Sequence, residues 1–367
     1  MYKIRLLLAD PDSKYVDKLT DFITNSFAFR IRVSSFTREN LLKEYLQSSP
    51  ETIDILLANQ EFLCLPPDLY AKVELVVQLS DGSLSNRFEQ YRSIYKFQSG
   101  HQLVNQLLNI YSEQNSNASK LVTGSKHTKL VSVYAPCGGV GKTSIVLGLA
   151  VKLSEMGFSV LVLGLESINS LVAALSCTYN DALTHILLAL SENSDTLPVK
   201  VETFKTRDTV FNLDFIEPPD CFMELSELKN GYLVALLEGL KQMGKYDIIL
   251  TDMDSVPDNR AFSIFESSDR IVFVQVPECN SRLKTETFLS QVRRSGMAEK
   301  TGLFEKLIPV INKYQDGPIC SLSEYGLKVE YSIPLLPNLW VYGPDKCLFD
   351  SNRSFSNCLT SLAQVIV

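Results

Sequence analysis

The chain has 367 residues, of which 45% are hydrophobic and 21% are charged, and its formal net charge is −7. This length and composition are typical of a globular protein with two domains, each large enough to bury a core. A negative charge with no basic run argues against a sequence-independent DNA-binding protein, which needs clustered lysine and arginine to displace counterions. We therefore expect protein partners and no nucleic acid.

The cysteines and the first residues predict a cytoplasmic protein. Eight cysteines are scattered along the chain without a Cys-x-x-Cys pair, and histidine occurs three times, so a zinc or iron–sulfur site is not expected. The segment Met1–Asp10 contains too short an apolar run for a signal peptide and reaches an acid at once. No apolar stretch is long enough to span a bilayer. We expect reduced thiols and, at most, peripheral membrane association through partners.

From Lys3 onward, apolar β-prone runs alternate with helix-like stretches, which predicts a parallel sheet. The predicted strands are Lys3–Ala9, Ile31–Ser35, Ile53–Ala58, Leu75–Leu79 and Ile94–Phe97. The predicted helices are Ser13–Asn25, Glu39–Gln47 and Gln102–Tyr111. The pattern therefore predicts an α/β, doubly wound, flavodoxin-like domain over residues 1–115.

Polar residues stand at the ends of these predicted strands or within them. Asp10 and Asp12 follow the first strand, Ser80 ends the fourth, and Lys96 lies in the fifth. Their order resembles that of response-regulator receiver domains, in which the acid pair holds Mg²⁺. The receiver phosphoacceptor corresponds to Asn59 here, and an amide cannot form an acyl phosphate. We therefore predict a pseudo-receiver used for docking, whose acids cap the following helix; cation binding by the two acids is the alternative.

Residues 116–128 are polar, rich in small side chains and without a hydrophobic period, which predicts a flexible linker. The alternation of apolar runs and helical patterns resumes at Lys129. Residues 129–367 are therefore predicted to form a second doubly wound α/β domain.

This second domain opens with a glycine-rich loop. The β-prone run Lys129–Ala135 leads into Cys137-Gly-Gly-Val-Gly-Lys-Thr143, and the helix after it shows an apolar face at Ile145, Leu149, Leu153 and Met156. A strand, a glycine loop and a helix in this order predict a phosphate site, because glycines let backbone N–H groups turn inward at a positive helix end. The predicted nucleotide-binding residues of the loop are Gly138, Gly139, Val140, Gly141, Lys142, Thr143 and Ser144.

The loop resembles the deviant Walker A loop of the MinD/ParA ATPases, Lys-Gly-Gly-x-Gly-Lys-Thr/Ser. The resemblance implies ATP and Mg²⁺ as cofactors, with Lys142 over the β- and γ-phosphates and the Thr143 hydroxyl on the metal. In that family the first lysine reaches across a homodimer to the partner's nucleotide. Position 137 is a cysteine here, so this cation is missing. The resemblance further implies a homodimer through the ATPase domain.

Two later strands end in candidate catalytic groups. The run Ser159–Leu165 ends where MinD/ParA relatives carry Asp-x-Asp, and these positions are Gly164 and Glu166 here. Glu166 is either a polarising residue or an acid that complements a helix dipole. The run Lys245–Asp252 is an apolar strand that ends in aspartate, which is the Walker B arrangement.

Asp252 is accordingly predicted beside Mg²⁺ and Thr143, both as a metal ligand and as a catalytic residue. Asp254 and Asp258 follow in the next loop, where the relatives have a γ-phosphate switch. Asp254 is the further catalytic candidate, and each of the two acids has an alternative interpretation as a plain loop residue.

The C-terminal third supplies the predicted base site. Asn312 ends the strand that starts at Leu307, and in MinD/ParA relatives the matching amide reads the adenine edge; a turn-forming Asn is the alternative. Lys313 and Pro334 are also predicted to contact the nucleotide, Pro334 because Tyr331–Pro337 resembles the base-flanking segment of the relatives. The other predicted elements are the helices Asn180–Leu190, Gly231–Met243, Leu283–Arg294 and Phe355–Val367 and the strand Arg270–Val276. The last helix lacks lysine, so it is predicted to pack in the core rather than to anchor in lipid.

A receiver-like domain ahead of a deviant Walker A ATPase domain resembles the TadZ/CpaE family of Flp (Tad) pilus assembly. The resemblance implies an ATP-binding localisation and scaffold protein of the pilus assembly and secretion machinery. It would dock on partner proteins through the receiver-like domain, at a cell pole or the inner face of the membrane. Because Cys137 and Gly164 remove two contributors to catalysis, we expect weak or absent hydrolysis. The alternatives are an active MinD/ParA-type switch ATPase and a phosphorelay-gated regulator.

Overall fold

The computed structural model describes residues 3–27, 31–50, 52–82, 90–114, 124–168, 170–171, 175, 181–192, 196–219, 221–228, 230–315, 322–336 and 353–367. The chain divides into two compact units, Met1–Asn117 and Ala118–Val367. Most of the predicted linker, residues 116–123, lies outside the described residues. Its end is tied to the second unit, because the backbone N–H groups of Gly124 and Lys126 donate to Met243 O and Gly244 O at 2.7 and 2.9 Å.

The first unit contains a five-stranded parallel sheet in the order β2-β1-β3-β4-β5. Its strands are β1 (Ile4–Ala9), β2 (Ile31–Phe36), β3 (Ile53–Asn59), β4 (Val73–Ser80) and β5 (Arg92–Tyr95). Its helices are α1 (Ser13–Ser26), α2 (Glu39–Ser48), α3 (Pro67–Tyr70) and α4 (Gly100–Gln114). Separate apolar cores cover the two faces of the sheet. The predicted doubly wound, flavodoxin-like unit is confirmed, and the predicted elements agree within two to three residues at their ends.

The second unit is built on an eight-stranded sheet in the order β13-β12-β11-β6-β10-β7-β9-β8. The strands are β6 (Lys129–Tyr134), β7 (Val160–Leu165), β8 (Thr206–Asp208), β9 (Leu213–Ile216), β10 (Ile248–Met253), β11 (Arg270–Gln275), β12 (Leu307–Tyr314) and β13 (Tyr331–Pro334). All neighbours are parallel except β8, which runs antiparallel to β9 at the edge. Since parallel strands place their carboxyl ends at one edge, β6, β7 and β10 present their following loops together.

Helices cover both faces of this sheet. They are α5 (Lys142–Glu155), α6 (Ala182–Glu192), α7 (Leu197–Phe204), α8 (Phe222–Glu227), α9 (Asn230–Gln242), α10 (Asn259–Ser267), α11 (Cys279–Arg294), α12 (Met297–Thr301), α13 (Leu303–Lys306) and α14 (Arg353–Ile366). Two large apolar clusters lie on opposite sides of the strands. The elements β8, β9, α7, α8, α10, α12 and α13 were not predicted, because such short segments carry little periodicity.

The C-terminal helix α14 packs against α5, as the lysine-free sequence predicted. Leu359, Leu362, Ala363 and Ile366 are all buried. The apolar face predicted for α5 is correct for its first three members and wrong for Met156, which is 40% exposed. Because α5 lies between the sheet and α14, it is buried on nearly every side rather than on one stripe. Among the described residues, no helix has the length and hydropathy needed to cross a bilayer.

Candidate functional site

The glycine-rich loop, residues 137–143, follows the central strand β6 and leads directly into α5. Gly139 and Gly141 have φ values of +73° and +90°, a left-handed conformation that only glycine adopts without strain. Gly141 is the residue before the first turn of α5. Val140 and Ser144 are buried, whereas a Cβ on Gly138 would meet no atom within 4 Å. The path of this turn thus requires glycine at positions 139 and 141.

Lys142 links the ends of two neighbouring strands. Its side chain is largely buried, and its ammonium donates to Ser255 Oγ at 3.0 Å. The same nitrogen lies 3.7 Å from Glu166 Oε1. Ser255 follows β10 and Glu166 follows β7, so the lysine stands between the two loops that face the glycine-rich turn. A phosphate group in this turn would meet a cation already directed toward it.

Asp252 is a fully buried acid at the end of β10. It pairs in register with Val133 of β6 and Gly164 of β7, and neither carboxylate oxygen has a hydrogen-bond partner among the described residues. Burial, together with the charge of Glu166, raises the pKa of Asp252 to about 7, although the nearby Thr143 hydroxyl and Lys142 ammonium act in the opposite direction. A divalent cation beside this carboxyl group would stabilise its anionic form.

These residues fit a divalent cation held jointly with a nucleotide. Within the described ranges, no group of three or more His, Cys, Asp and Glu side chains could hold a metal ion by itself. Mg²⁺ is commonly bound by one or two protein ligands together with phosphate oxygens and water. Asp252 and the hydroxyl of Thr143 would supply the protein side of this coordination, and Mg²⁺ would neutralise charge on the phosphates.

Glu166 and Thr143 are connected through Ser170. The Thr143 and Ser170 hydroxyl groups lie 2.6 Å apart, and Ser170 Oγ donates to Glu166 Oε2 at 2.5 Å. Glu166 therefore lies inside the site, close to Lys142 and to the hydroxyl predicted to bind metal. Ser170 was not foreseen, since a single serine in a loop carries no signal in the sequence.

Asp254 connects the loop after β10 to the loop after β7. Its Oδ2 accepts hydrogen bonds from Ser167 N and Oγ at 3.0 and 2.7 Å, and from Arg260 Nη2 at 3.3 Å. Arg260 also bonds Asp258, which caps α10 by accepting from Ala261 N at 2.9 Å. Asp254 thus holds the loops after β7 and β10 together. Asp258 is a loop acid that caps α10. Ser167 and Arg260 were missed, because their role depends on strand order.

Asn312 and Lys313 both reach the glycine-rich loop. Asn312 Nδ2 donates to Val140 O at 2.8 Å, and Lys313 Nζ donates to Gly139 O at 2.7 Å. The strand continues to Tyr314, so Asn312 does not end it. Pro334 ends the edge strand β13, is half-buried, and pairs with Tyr314. The structure therefore brings Asn312 and Lys313 to the loop, while Pro334 stays on the edge of the sheet.

The receiver-like unit has a closed polar site. Asp10 is fully buried, and Lys96 Nζ lies 2.8 and 2.9 Å from its two oxygens. Asn59 Nδ2 adds a bond of 3.4 Å to Asp10. Asp12 caps α1 by accepting from Tyr15 N at 3.2 Å, so the cap prediction is confirmed for Asp12 and wrong for Asp10. A lysine ammonium already neutralises the acid that would otherwise face a metal ion.

Comparison with known families agrees with both units. Residues 2–112 match the family model of the TadZ-like receiver domain, and residues 128–298 match an AAA domain model. The first unit therefore contains a TadZ-like receiver domain, and the second unit contains a domain of the AAA type. Among curated proteins, none matches the chain significantly.

Solved structures resemble the second unit of the chain. A ParA family ATPase from Chlorobium tepidum TLS is 18% identical, with a TM-score of 0.55 over 66% of this chain and 99% of its own. The MinD cell division protein of Aquifex aeolicus is 16% identical, with a TM-score of 0.50 over 65% and 96%. At these identities the likeness shows the fold, a MinD/ParA-type P-loop NTPase.

The glycine-rich loop of this chain departs from the MinD/ParA loop pattern at Cys137. This residue is half-buried and packs against the apolar cluster on one face of the sheet. Its thiol carries no fixed positive charge, unlike the lysine in the family motif. Gly164 likewise leaves no acid beside Asp252 in the adjacent strand. The fold is retained and the two predicted metal ligands, Thr143 and Asp252, are present, while two charged groups of the motif are missing at positions 137 and 164.

Proposed function

We propose that the chain binds ATP with Mg²⁺ and serves as a localisation and scaffold protein of the Tad (Flp pilus) assembly and secretion machinery, with weak or absent hydrolysis. The observation that carries the nucleotide part is Asp252, a buried carboxyl group with no partner among the described residues beside a glycine-rich turn. Burial of an uncompensated carboxylate is costly, and a divalent cation bound beside Asp252 would offset that cost.

Three groups support ATP as the ligand. The turn before α5 presents backbone N–H groups at a helix N-terminus, where anions are stabilised. Lys142 adds a buried ammonium between the loops after β7 and β10. Thr143 and Asp252 add oxygen ligands of the kind that Mg²⁺ prefers. Asn312 and Lys313 lie against the same turn. Pro334, the third residue of the predicted base site, lies in the edge strand β13, which is farther from the turn than β12 is.

Weak hydrolysis is supported by the missing charges. A cation that stabilises the γ-phosphate in the transition state contributes about 10³-fold or more to phosphoryl transfer. Cys137 cannot supply that charge. Gly164 supplies no carboxylate at the position where the relatives carry aspartate. Glu166, two residues later, accepts a hydrogen bond from Ser170 and lies near Lys142.

A second candidate, an active switch ATPase, is favoured by one observation. Glu166 lies within the site, 3.7 Å from the Lys142 ammonium, and its carboxylate could polarise a water molecule next to bound nucleotide. In that case hydrolysis would separate a homodimer formed through the ATPase domain. The two candidates make different predictions for turnover.

The receiver-like unit supports a docking role. Asn59 cannot accept a phosphoryl group, and Lys96 neutralises Asp10 without a metal ion. We infer that this unit contacts protein partners of the pilus machinery in one fixed state. The proposed location is cytoplasmic, at a cell pole or at the inner face of the membrane, reached through those partners. A phosphorelay-gated regulator would require an acceptor that position 59 does not provide.

The decisive experiment measures nucleotide binding and phosphate release on the purified full chain. ATP binding in the presence of Mg²⁺, lost in Lys142→Ala, with negligible phosphate release supports the scaffold. Turnover that disappears in Glu166→Gln supports the switch ATPase instead. Cys137→Lys restores the missing cation, and we expect it to increase phosphate release or ATP-dependent pairing. Absence of ATP binding in the wild type would overturn both candidates.

A further inference from the structure

Two consecutive residues of β12 hold two consecutive carbonyl groups of the glycine-rich loop. Asn312 bonds Val140 O at 2.8 Å, and Lys313 bonds Gly139 O at 2.7 Å. Neighbouring residues of a regular strand point to opposite faces of the sheet. A regular strand could not bring both side chains to the same loop.

An irregularity in β12 makes the double contact possible. The register between β12 and β13 shifts between Ile311 and Tyr314, which brackets the two residues. Lys313 has φ +55°, a left-handed value that lysine rarely adopts. Bulges are common next to functional sites because they redirect side chains. A strained residue that persists at such a place is a reason to look for a function.

The contacts fix the direction of the loop's N–H groups. Each peptide unit is planar and trans, so its N–H points opposite to its C=O. When Lys313 holds Gly139 O, the N–H of Val140 points away from β12. When Asn312 holds Val140 O, the N–H of Gly141 does the same. Both donors are then oriented before any anion arrives.

Gly141 is matched to this arrangement. A Cβ at position 141 would lie 2.5 Å from Asn312 Nδ2, closer than any real contact. Asn312 is buried, and its amide nitrogen is engaged with the loop rather than directed at a base. The close approach and the left-handed φ of Gly141 therefore both depend on glycine.

We propose that Asn312 and Lys313 form a clamp that preorganises the phosphate loop, so that Asn312 acts on the phosphate end of the ligand as a positioning residue. The clamp rests on the proposed ATP binding and deepens it. It acts within one chain, since both partners of each bond belong to the same unit. A preordered loop loses less conformational entropy on binding, which favours affinity in the absence of a cation at position 137.

Inorganic tripolyphosphate tests the clamp because it has phosphates and no base. Titration calorimetry on the full chain with Mg²⁺ would compare ATP and tripolyphosphate for the wild type, Asn312→Asp and Lys313→Met. The clamp predicts that each variant weakens both ligands by about tenfold, since one hydrogen bond to a loop carbonyl is lost in each. The matched control is Lys328→Met, an exposed lysine outside the site, which should bind as the wild type does.

Lys313→Gly separates structure from function. Glycine accepts the left-handed φ, so this variant should unfold no earlier than the wild type and still bind tripolyphosphate about tenfold more weakly. If Asn312→Asp weakens ATP and leaves tripolyphosphate unchanged, Asn312 reads the base and the clamp is overturned. Unchanged affinities in all variants of a wild type that binds would overturn the clamp alone. A wild type that binds neither ligand would overturn the nucleotide assignment and the clamp together.

Discussion

Replacing Asp252 by asparagine should stabilise the ligand-free protein at alkaline pH. The pKa of this buried carboxyl group is raised from 3.8 to about 7. At 1.36 kcal/mol per pKa unit, ionisation in the fold costs on the order of 4 kcal/mol. The amide introduced at position 252 would itself be buried without partners, so we expect a net gain of about 1–3 kcal/mol. For a unit of this size, the unfolding temperature should rise by roughly 2–10 °C.

The effect of Asp252→Asn should depend on pH in one direction. Because the carboxyl pKa is higher in the folded state than in the unfolded state, the wild type loses stability as the pH rises from about 4 to about 7. The gain from the substitution should therefore be largest at pH 8 and should shrink toward pH 5. Mg²⁺ with ATP should stabilise the wild type at pH 8 and have much less effect on the variant.

Differential scanning calorimetry at pH 5 and pH 8 measures this effect. Asp214→Asn is the matched control, because Asp214 is also buried but bonds Lys205 and Arg207 at 2.7 and 2.8 Å. Burial alone would raise the pKa of Asp214, but these two cations hold it below its usual value. Removing its charge should destabilise the protein by about 3–5 kcal/mol. The reasoning would be refuted if Asp252→Asn unfolded at a lower temperature than the wild type at pH 8. It would also be refuted if the substitution shifted the unfolding temperature equally at pH 5 and pH 8.

Three further predictions concern other parts of the chain. Lys142→Ala should weaken ATP binding at least about 100-fold, because it removes a buried ammonium from the phosphate site; calorimetry showing near wild-type affinity would place the nucleotide elsewhere. Lys96→Met should destabilise the receiver-like unit by about 3–5 kcal/mol in urea unfolding, since Asp10 is left charged and buried, and adding Asp10→Asn should recover most of the loss. Leu362→Ala should cost about 2–5 kcal/mol in the same assay if α14 is a core helix, whereas an unchanged midpoint would contradict that role.

Local sequence pattern was sufficient for the framework of both units. The apolar runs of β1, β3, β6, β7 and β10 are nearly continuous, and such runs form buried parallel strands. The glycines of residues 137–143 predict a turn, because glycine adopts backbone conformations that other residues rarely adopt. Helix α14 was predicted to be a core helix because it lacks lysine. In each case the information lies within a few neighbouring residues.

The partners of the polar side chains could not be predicted in the same way. Lys96 meets Asp10 across 86 positions of sequence, and Asn312 meets Val140 across 172. The sequence suggested that Asn312 contacts a base, and the bond from its amide nitrogen to Val140 O was not foreseen. That contact depends on a local irregularity of β12, which no periodic pattern reveals.

The sequence by itself determined which apolar runs become the central buried strands, where the glycine-rich loop lies, and which charges of the family motif are lost at positions 137 and 164. Hydrophobic period and glycine content are local properties, so they can be recognised from neighbouring residues alone. Only the tertiary structure decided that Asp252 is buried without a hydrogen-bond partner among the described residues, that Asp254 is held by Ser167 and Arg260, and that two residues of β12 hold the loop. These outcomes follow from strand order and register, which set the distances between groups that are far apart along the chain.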